Sequence, residues 1–246
     1  MDRAFVSWSG GKDSCLAMFL AVKSGIEVSY LLNMAFEDNQ YSRTHHLPLE
    51  VLELQAKALR IPLFVQTSTD SMYEENFLKA MIELKAMDID KGIFGDIDIV
   101  QHRDWVERIC KKGKIYPYLP LWGRNQVDVL KEFINTGFKA IVTIVRADVL
   151  GREWLGRIIN EAFLEDIEKL NKNISVTICG EAGEYHTLVT DGPCFYSKIE
   201  IQDYEATLHN GYWFMNIKKC SLFNKGKETG VGQDYSYNRG SPKWEK

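Results

Sequence analysis

Apolar and polar positions along the chain alternate between short continuous apolar runs and longer runs with helical spacing. Residues 3–8 (RAFVSW) are an apolar run ending on small residues, and from Asp13 the positions Leu16, Met18, Phe19, Leu20 and Val22 follow a largely apolar helix pattern that stops near Gly25. Residues 28–36 predict a second buried strand, residues 47–60 a helix with Pro48 in its first turn and Leu49, Leu52 and Leu59 on one face, and residues 62–67 a third strand. A third helix over 72–87, a fourth strand over 91–97 ending in Gly95 and Asp96, and a fourth helix over 102–113 continue the order. Such alternation predicts a parallel sheet covered on both faces, because a parallel neighbour is reached only through a crossover, and here the crossover is the helix.

After residues 115–126 (IYPYLPLWGRNQ) the texture changes, since Pro117, Pro120 and Gly123 punctuate an aromatic segment before a new pattern starts. Residues 127–137 predict a helix closed by Gly137, 138–147 a strand, 152–170 one long helix and 174–180 another strand, followed by a β-rich stretch through 223. The expected fold class is therefore α/β: a first domain over 1–120 and a smaller C-terminal α+β domain over 121–225. Residues 226–246 are polar and aperiodic and read as a loose tail. The strand-like run 211–223 is dense in apolar and aromatic residues, and buries either against the core or against a second subunit in a homo-oligomer.

Composition narrows the function classes. With 30 Lys and Arg against 34 Asp and Glu, the chain has a net charge of −4 and no block of like charges, which leaves no electrostatic footprint for a nucleic-acid backbone. Its five cysteines show no C-x-x-C pair, as expected of reduced cytosolic thiols, and no apolar stretch reaches bilayer-spanning length. The expectation is a cytoplasmic protein without a membrane segment.

The candidate chemistry starts between the first strand and first helix, at Ser9-Gly10-Gly11-Lys12-Asp13-Ser14. A strand feeding this loop into a helix aims N–H groups at one point, glycines let a phosphate approach the main chain, Lys12 adds a mobile positive charge, and Ser9 and Ser14 offer hydroxyl donors. It is not the Walker loop, which needs G-x-x-x-x-G-K-[ST]. The other reading of the same residues is a Gly-rich turn with a helix cap. Asp96, after the fourth strand, can hold magnesium, contact substrate or cap a turn. Far downstream, residues 179–195 (CGEAGEYHTLVTDGPCF) crowd Glu181, Glu184, His186, Thr187 and Asp191 around turns at Gly180 and Gly183. Such a cluster can bind a cation, orient ammonia or position a polar substrate, or be a solvated turn between two strands. His45 and His46 can reach the nucleotide or be solvated, Trp122 and Arg124 can clamp a ligand or pack a domain junction, and Cys15 and Cys110 read as small core residues.

SGGKDS resembles the signature of the ATP pyrophosphatases, the PP-loop family, in which the loop holds the β and γ phosphates as a leaving pyrophosphate and attack falls on the α phosphate. Taken with FGDI, PLWGRNQ, LGREWLGRII and the 179–195 segment, it resembles the ordered motifs of the diphthine–ammonia ligase family over roughly residues 4–200. That resemblance implies a Rossmann-like (HUP-type) ATP-binding domain in which strands one and four are neighbours. It also implies amidation of the carboxylate of diphthine, on translation elongation factor two, with ATP and ammonium and with Mg2+ as cofactor. Position by position, Ser9, Gly10, Gly11, Lys12, Asp13 and Ser14 would bind ATP, bordered by Gly95 and Asp96, with Asp96 also the metal ligand. Glu181, Gly183, Glu184, His186 and Thr187 would line the acceptor side, and Lys12, Asp13, Glu181 and Glu184 would carry the catalysis. Two segments, 40–48 (QYSRTHHLP) and 102–110 (HRDWVERIC), depart from the pattern expected of the eukaryotic and archaeal ligases and look closer to bacterial members. The competing readings are a PP-loop enzyme acting on a small metabolite or RNA, and a non-catalytic ATP or AMP sensor.

Overall fold

A computed structural model describes residues 2–225 and the backbone of residues 236–238. Strands β1 (Arg3–Ser7), β2 (Glu27–Ala35), β3 (Leu63–Thr67), β4 (Lys91–Ile93) and β5 (Tyr116–Tyr118) pair in parallel in the order β3-β2-β1-β4-β5. Helices α1 (Lys12–Lys23), α2 (Leu49–Leu59), α3 (Tyr73–Ala86) and α4 (Val100–Gly113) make the crossovers. Because successive side chains of a strand point to opposite faces, Ala4 and Val6 pack with α1 and α2 while Phe5 packs with α3 and α4. Phe5 meets Phe77 and Phe94 edge-on, at 6.4 and 6.0 Å between ring centroids. The sequence pattern ends this sheet at the fourth strand, but the structure adds β5, whose Pro117 is tolerated because the strand lies at the sheet edge.

The chain runs outward from β1 to β3, then returns to the other side of β1 with β4. Strand order therefore reverses between β1 and β4, the place where an open parallel sheet opens a crevice at its carboxyl ends.

The remainder builds an antiparallel sheet from β6 (Lys139–Arg146), β7 (Tyr185–Asp191), β8 (Ser197–His209), β9 (Tyr212–Asn224) and β10 (Ser236–Asn238), in the order β10-β9-β6-β7 with β8 on β9. Helices α5 (Gln126–Asn135) and α6 (Glu161–Asn171) start where Asn125 and Asn160 accept bonds from first-turn N–H groups. Two expectations are corrected here. Residues 152–170 are not one helix: a 3-10 turn at Arg152–Trp154 is followed by Gly156 at φ +78° and a bridge from Ile158 to Ile141 before α6 begins. Residues 174–180 form no strand: the chain is irregular there, with a turn at 178–179, and Gly180 holds φ +76°. The loose-tail reading falls outside the described residues except at β10, which pairs with β9.

One hydrophobic cluster runs from the α1 and α2 face of the parallel sheet into the antiparallel sheet, so these helices contact both. Met215, Ile217, Cys220 and Leu222 of β9, from the apolar run 211–223, are buried in it. Among the described residues no helix is long and apolar enough to cross a membrane.

Candidate active site

The loop between β1 and α1 is held from behind by the antiparallel sheet. Gly10 sits at φ +81°, a conformation that favours glycine, and a Cβ there would lie 2.6 Å from Leu52 Cδ2 and 2.7 Å from Gln55 Oε1. Its carbonyl accepts the Val189 N–H and the Gln55 amide, each at 2.9 Å. Gln55 is fully buried; it also donates to the Val189 carbonyl (2.7 Å) and accepts from the Trp8 indole (3.0 Å), so one side chain joins the end of β1, the loop and β7. From the other flank, β4 brings Gly95 so close that a Cβ would stand 2.8 Å from the Asp13 carbonyl carbon and 2.9 Å from the Ser14 nitrogen.

Two cradle donors are engaged within the protein. The Gly11 N–H donates to Ser9 Oγ at 3.3 Å and the Lys12 N–H donates to Thr187 Oγ1 at 3.0 Å, while Ser9 Oγ and Ser14 Oγ stand 3.1 Å apart. The expectation of a mobile Lys12 charge is corrected. Its ammonium is buried, donates to Asp13 Oδ2 at 2.7 Å and to the Cys179 carbonyl, and lies 5.2 Å from the centroid of the Tyr185 ring. Burial opposes this charge, but Asp13, with Tyr185, Cys179 and Glu181, outweighs it and holds the ammonium above its usual range. Burial raises the Asp13 carboxyl despite Lys12, and its Oδ1 is buried without a partner.

The carboxyl ends of β1, β2 and β4 and the 179–187 segment enclose a cleft of about 240 Å³. Ser9, Lys12, Asp13, Ser14, Gly95, Asp96, Glu181, Gly183, His186 and Thr187 all line it, so two sequence-distant groups share one cavity. Burial pushes Glu181 up to about 8, reinforced by the Asp13 charge and by Asp98 and Asp96, with Lys12 opposing. A carboxyl titrating there is poised to exchange protons near neutral pH. Asp96 faces His102, with 3.3 Å between Oδ1 and Nδ1, and this bond raises the imidazole above its usual value.

Glu184 is placed elsewhere, which corrects its expected substrate contact. It is fully buried, outside the cleft lining, and accepts from the Thr177 N–H (2.6 Å), the Thr177 hydroxyl (2.9 Å) and the Ala182 N–H (3.0 Å). Its carboxylate shapes the turn that carries Glu181. Glu184→Gln would turn one acceptor oxygen toward these donors into an NH2 group, so we expect a loss of ~1–3 kcal/mol in denaturant unfolding with nucleotide affinity little changed. A nucleotide affinity lost in proportion to activity would return Glu184 to the cleft.

His45, left open by its sequence context, is buried in the cleft wall, with Nδ1 3.0 Å from the Thr187 carbonyl and its ring 4.6 Å from that of His186. Burial and His186 hold His45 well below its usual range, and burial and Lys12 hold His186 at about 4. Both rings are neutral at pH 7, so the one nitrogen of His45 that faces a carbonyl must carry its proton. Arg124 pairs with Glu132 at 2.6 Å and Trp122 lies beneath Arg103, and neither lines this cleft. Cys15 and Cys110 are buried, and burial raises both thiols. Gln55, Tyr185 and Asn33 carry parts of the site that periodicity alone does not single out.

Profiles of the diphthamide synthase N-terminal and C-terminal domains match residues 2–116 and 125–223. The chain belongs to the diphthine–ammonia ligase family. It is 32% identical to the diphthine–ammonia ligase of Rattus norvegicus, over 87% of this chain and 88% of that one, and 30% identical to that of Homo sapiens, over 85% and 86%. The ligase of Saccharomyces cerevisiae is 23% identical, over 88% of this chain and 38% of its own. A solved structure described as a "predicted subunit of tRNA methyltransferase" from Methanocaldococcus jannaschii superposes with a TM-score of 0.44 at 17% identity, covering 78% of this chain and 98% of that one. In this diphthine–ammonia ligase family member, the loop at 9–14 falls in the N-terminal match, and the turn that carries Glu181 in the C-terminal match.

Proposed function

We infer that the protein is an ATP-dependent, AMP-forming amide ligase that converts the carboxylate of diphthine on elongation factor two to the amide with ammonia. The observation that carries this reading is the single cleft shared by the 9–14 loop and Glu181, with Lys12 and Asp13 acting on the Glu181 carboxyl. In the first step the acceptor carboxylate attacks the α phosphorus, and the bond to pyrophosphate breaks as charge builds over the loop and the start of α1. In the second, ammonia attacks the acyl carbon of the adenylate, AMP leaves with the C–O bond electrons, and the nitrogen gives up a proton. The unprotonated Glu181 carboxylate accepts that proton.

Magnesium fits the donor set in a limited way. Among the described residues no group of three His, Cys, Asp or Glu side chains is arranged to hold a metal, but Asp96 and the partnerless Asp13 Oδ1 share the cleft, and Mg2+ commonly takes one or two carboxylates alongside substrate phosphates. Bound there it would supply charge neutralisation for the phosphates. A cytoplasmic setting accords with five free cysteines.

The test is product analysis with magnesium-ATP and ammonium, with and without diphthine-bearing elongation factor two. AMP and pyrophosphate that depend on the acceptor are expected. AMP formed without that dependence would redirect the chemistry to another acceptor, and ADP would overturn attack at the α phosphorus.

A further inference from the structure

Asn33, on β2, is only 3% exposed yet lines the cleft. Its Nδ2 donates to the Trp8 carbonyl at 2.7 Å, and since a carbonyl can only accept, this bond fixes which end of the carboxamide is nitrogen. Oδ1 is thereby turned the other way, and it is buried without a hydrogen-bond partner. A buried acceptor left open in this manner costs free energy comparable to a lost hydrogen bond unless a ligand supplies the donor. The Trp8 carbonyl that anchors it immediately precedes Ser9, where the phosphate-binding loop begins.

The surroundings decide which part of a nucleotide comes near. With phosphates on residues 9–14, the nucleoside can extend over β4 or over β2. The β4 side is filled by Gly95 against the α1 start and by the Asp96–His102 pair, which suit charge. The β2 side is lined by Asn33, Thr44 and the half-buried ring of Tyr73, with Leu32 and Met34 packed in the core behind, an uncharged surface that suits a flat base. An asparagine carboxamide is the geometric complement of one purine edge: its oxygen accepts from the 6-amino group of adenine while its NH2, which has a second hydrogen, donates to N7. A 6-oxo purine would set acceptor against acceptor.

We propose that Asn33 reads the base, accepting from the 6-amino group at Oδ1, and is the residue by which this cleft selects adenine over 6-oxo purine nucleotides. The proposal rests on the ATP-dependent reading above. The experiment is equilibrium binding of ATP, ITP, 2′-deoxy-ATP and 3′-deoxy-ATP to the full chain with magnesium. For the unaltered protein, ITP is expected to bind roughly 10- to 100-fold more weakly than ATP, with both deoxy nucleotides close to ATP. Asn33→Ala should bring ATP down to the level of ITP and leave ITP where it was. Should that variant not fold, Asn33→Ser, which also removes Oδ1 but keeps a polar side chain at the position, carries the same comparison. Equal binding of ATP and ITP by the unaltered protein overturns the proposal alone, as does an Asn33→Ala loss shared equally by both nucleotides. Selectivity that the variant loses against a deoxy nucleotide instead would assign Oδ1 to the ribose. Failure of every nucleotide to bind would overturn the ligase reading with it.

Discussion

Lys12→Ala is expected to abolish AMP formation, by at least ~1,000-fold, and to lower unfolding free energy by ~3–5 kcal/mol, because it removes one partner of a buried ion pair and leaves the other uncompensated. The ammonium is 4% exposed and the Asp13 side chain 23%, so solvent screens the pair little. Three things are lost together: the bond to Asp13, the bond to the Cys179 carbonyl, and the positive charge beside Glu181. The variant has its own pH signature. Burial already raises Asp13 and Glu181, and Lys12 is what opposes that shift in both; without it both carboxyls move further up. A carboxyl whose folded pKa exceeds its unfolded one stabilises below the unfolded value and loses that stability as pH rises through the folded value. Lys12→Ala should therefore recover stability when pH is lowered from 8 toward 4, which denaturant midpoints across that range would read. A midpoint deficit that stays constant with pH would mean that the two carboxylates do not depend on Lys12.

The second large effect concerns Glu181→Gln. At constant free ammonia, amide formation by the unaltered protein should climb with pH through about 8 and then level, since only the unprotonated carboxylate can take the proton released by the nitrogen. Glutamine should lower turnover by ~100- to 10,000-fold, the usual range for a positioned proton acceptor, and erase the inflection, while ATP binding persists. The same titration has a stability consequence of known sign. Glu181 favours the folded state below its unfolded value near 4.5, and that contribution fades as pH rises through about 8, so the glutamine variant should show the flatter stability profile over that interval. A pH–rate profile unchanged by the substitution would remove Glu181 from the proton path.

Much of the first sheet is legible from periodicity because β1, β4 and the second half of β2 are continuous buried apolar runs and each crossover is a helix. The misses have local causes. β5 is three residues long and contains Pro117, which lowers any strand signal but is harmless at an edge. Residues 152–170 carry enough apolar positions for one helix, yet Gly156 at positive φ and the Ile158–Ile141 bridge interrupt it. Residues 174–180 are apolar like a strand but are held in irregular backbone by Glu184, a partner that only the tertiary structure supplies. The loop at 9–14 was visible as a motif, whereas the fixed ammonium of Lys12 was not, because its partners Cys179 and Tyr185 lie more than 160 positions away. Gln55 and Asn33 look like ordinary polar breaks in apolar runs; their meaning comes from the Trp8 side chain and carbonyl that face them.

The bonds that Gln55, Val189 and Thr187 make to the loop also set an order of events during synthesis. Residues 9–14 leave the ribosome long before the groups that hold their backbone in place, Thr187 and Val189, which are made some 175 residues later. Loop closure over such a separation is entropically costly and slow compared with local helix and strand formation. The parallel sheet can assemble early, yet the loop at 9–14 acquires its final shape only when β7 docks against it. A nascent chain of this protein would thus become competent for its ligand in one late step, after most of its secondary structure already exists.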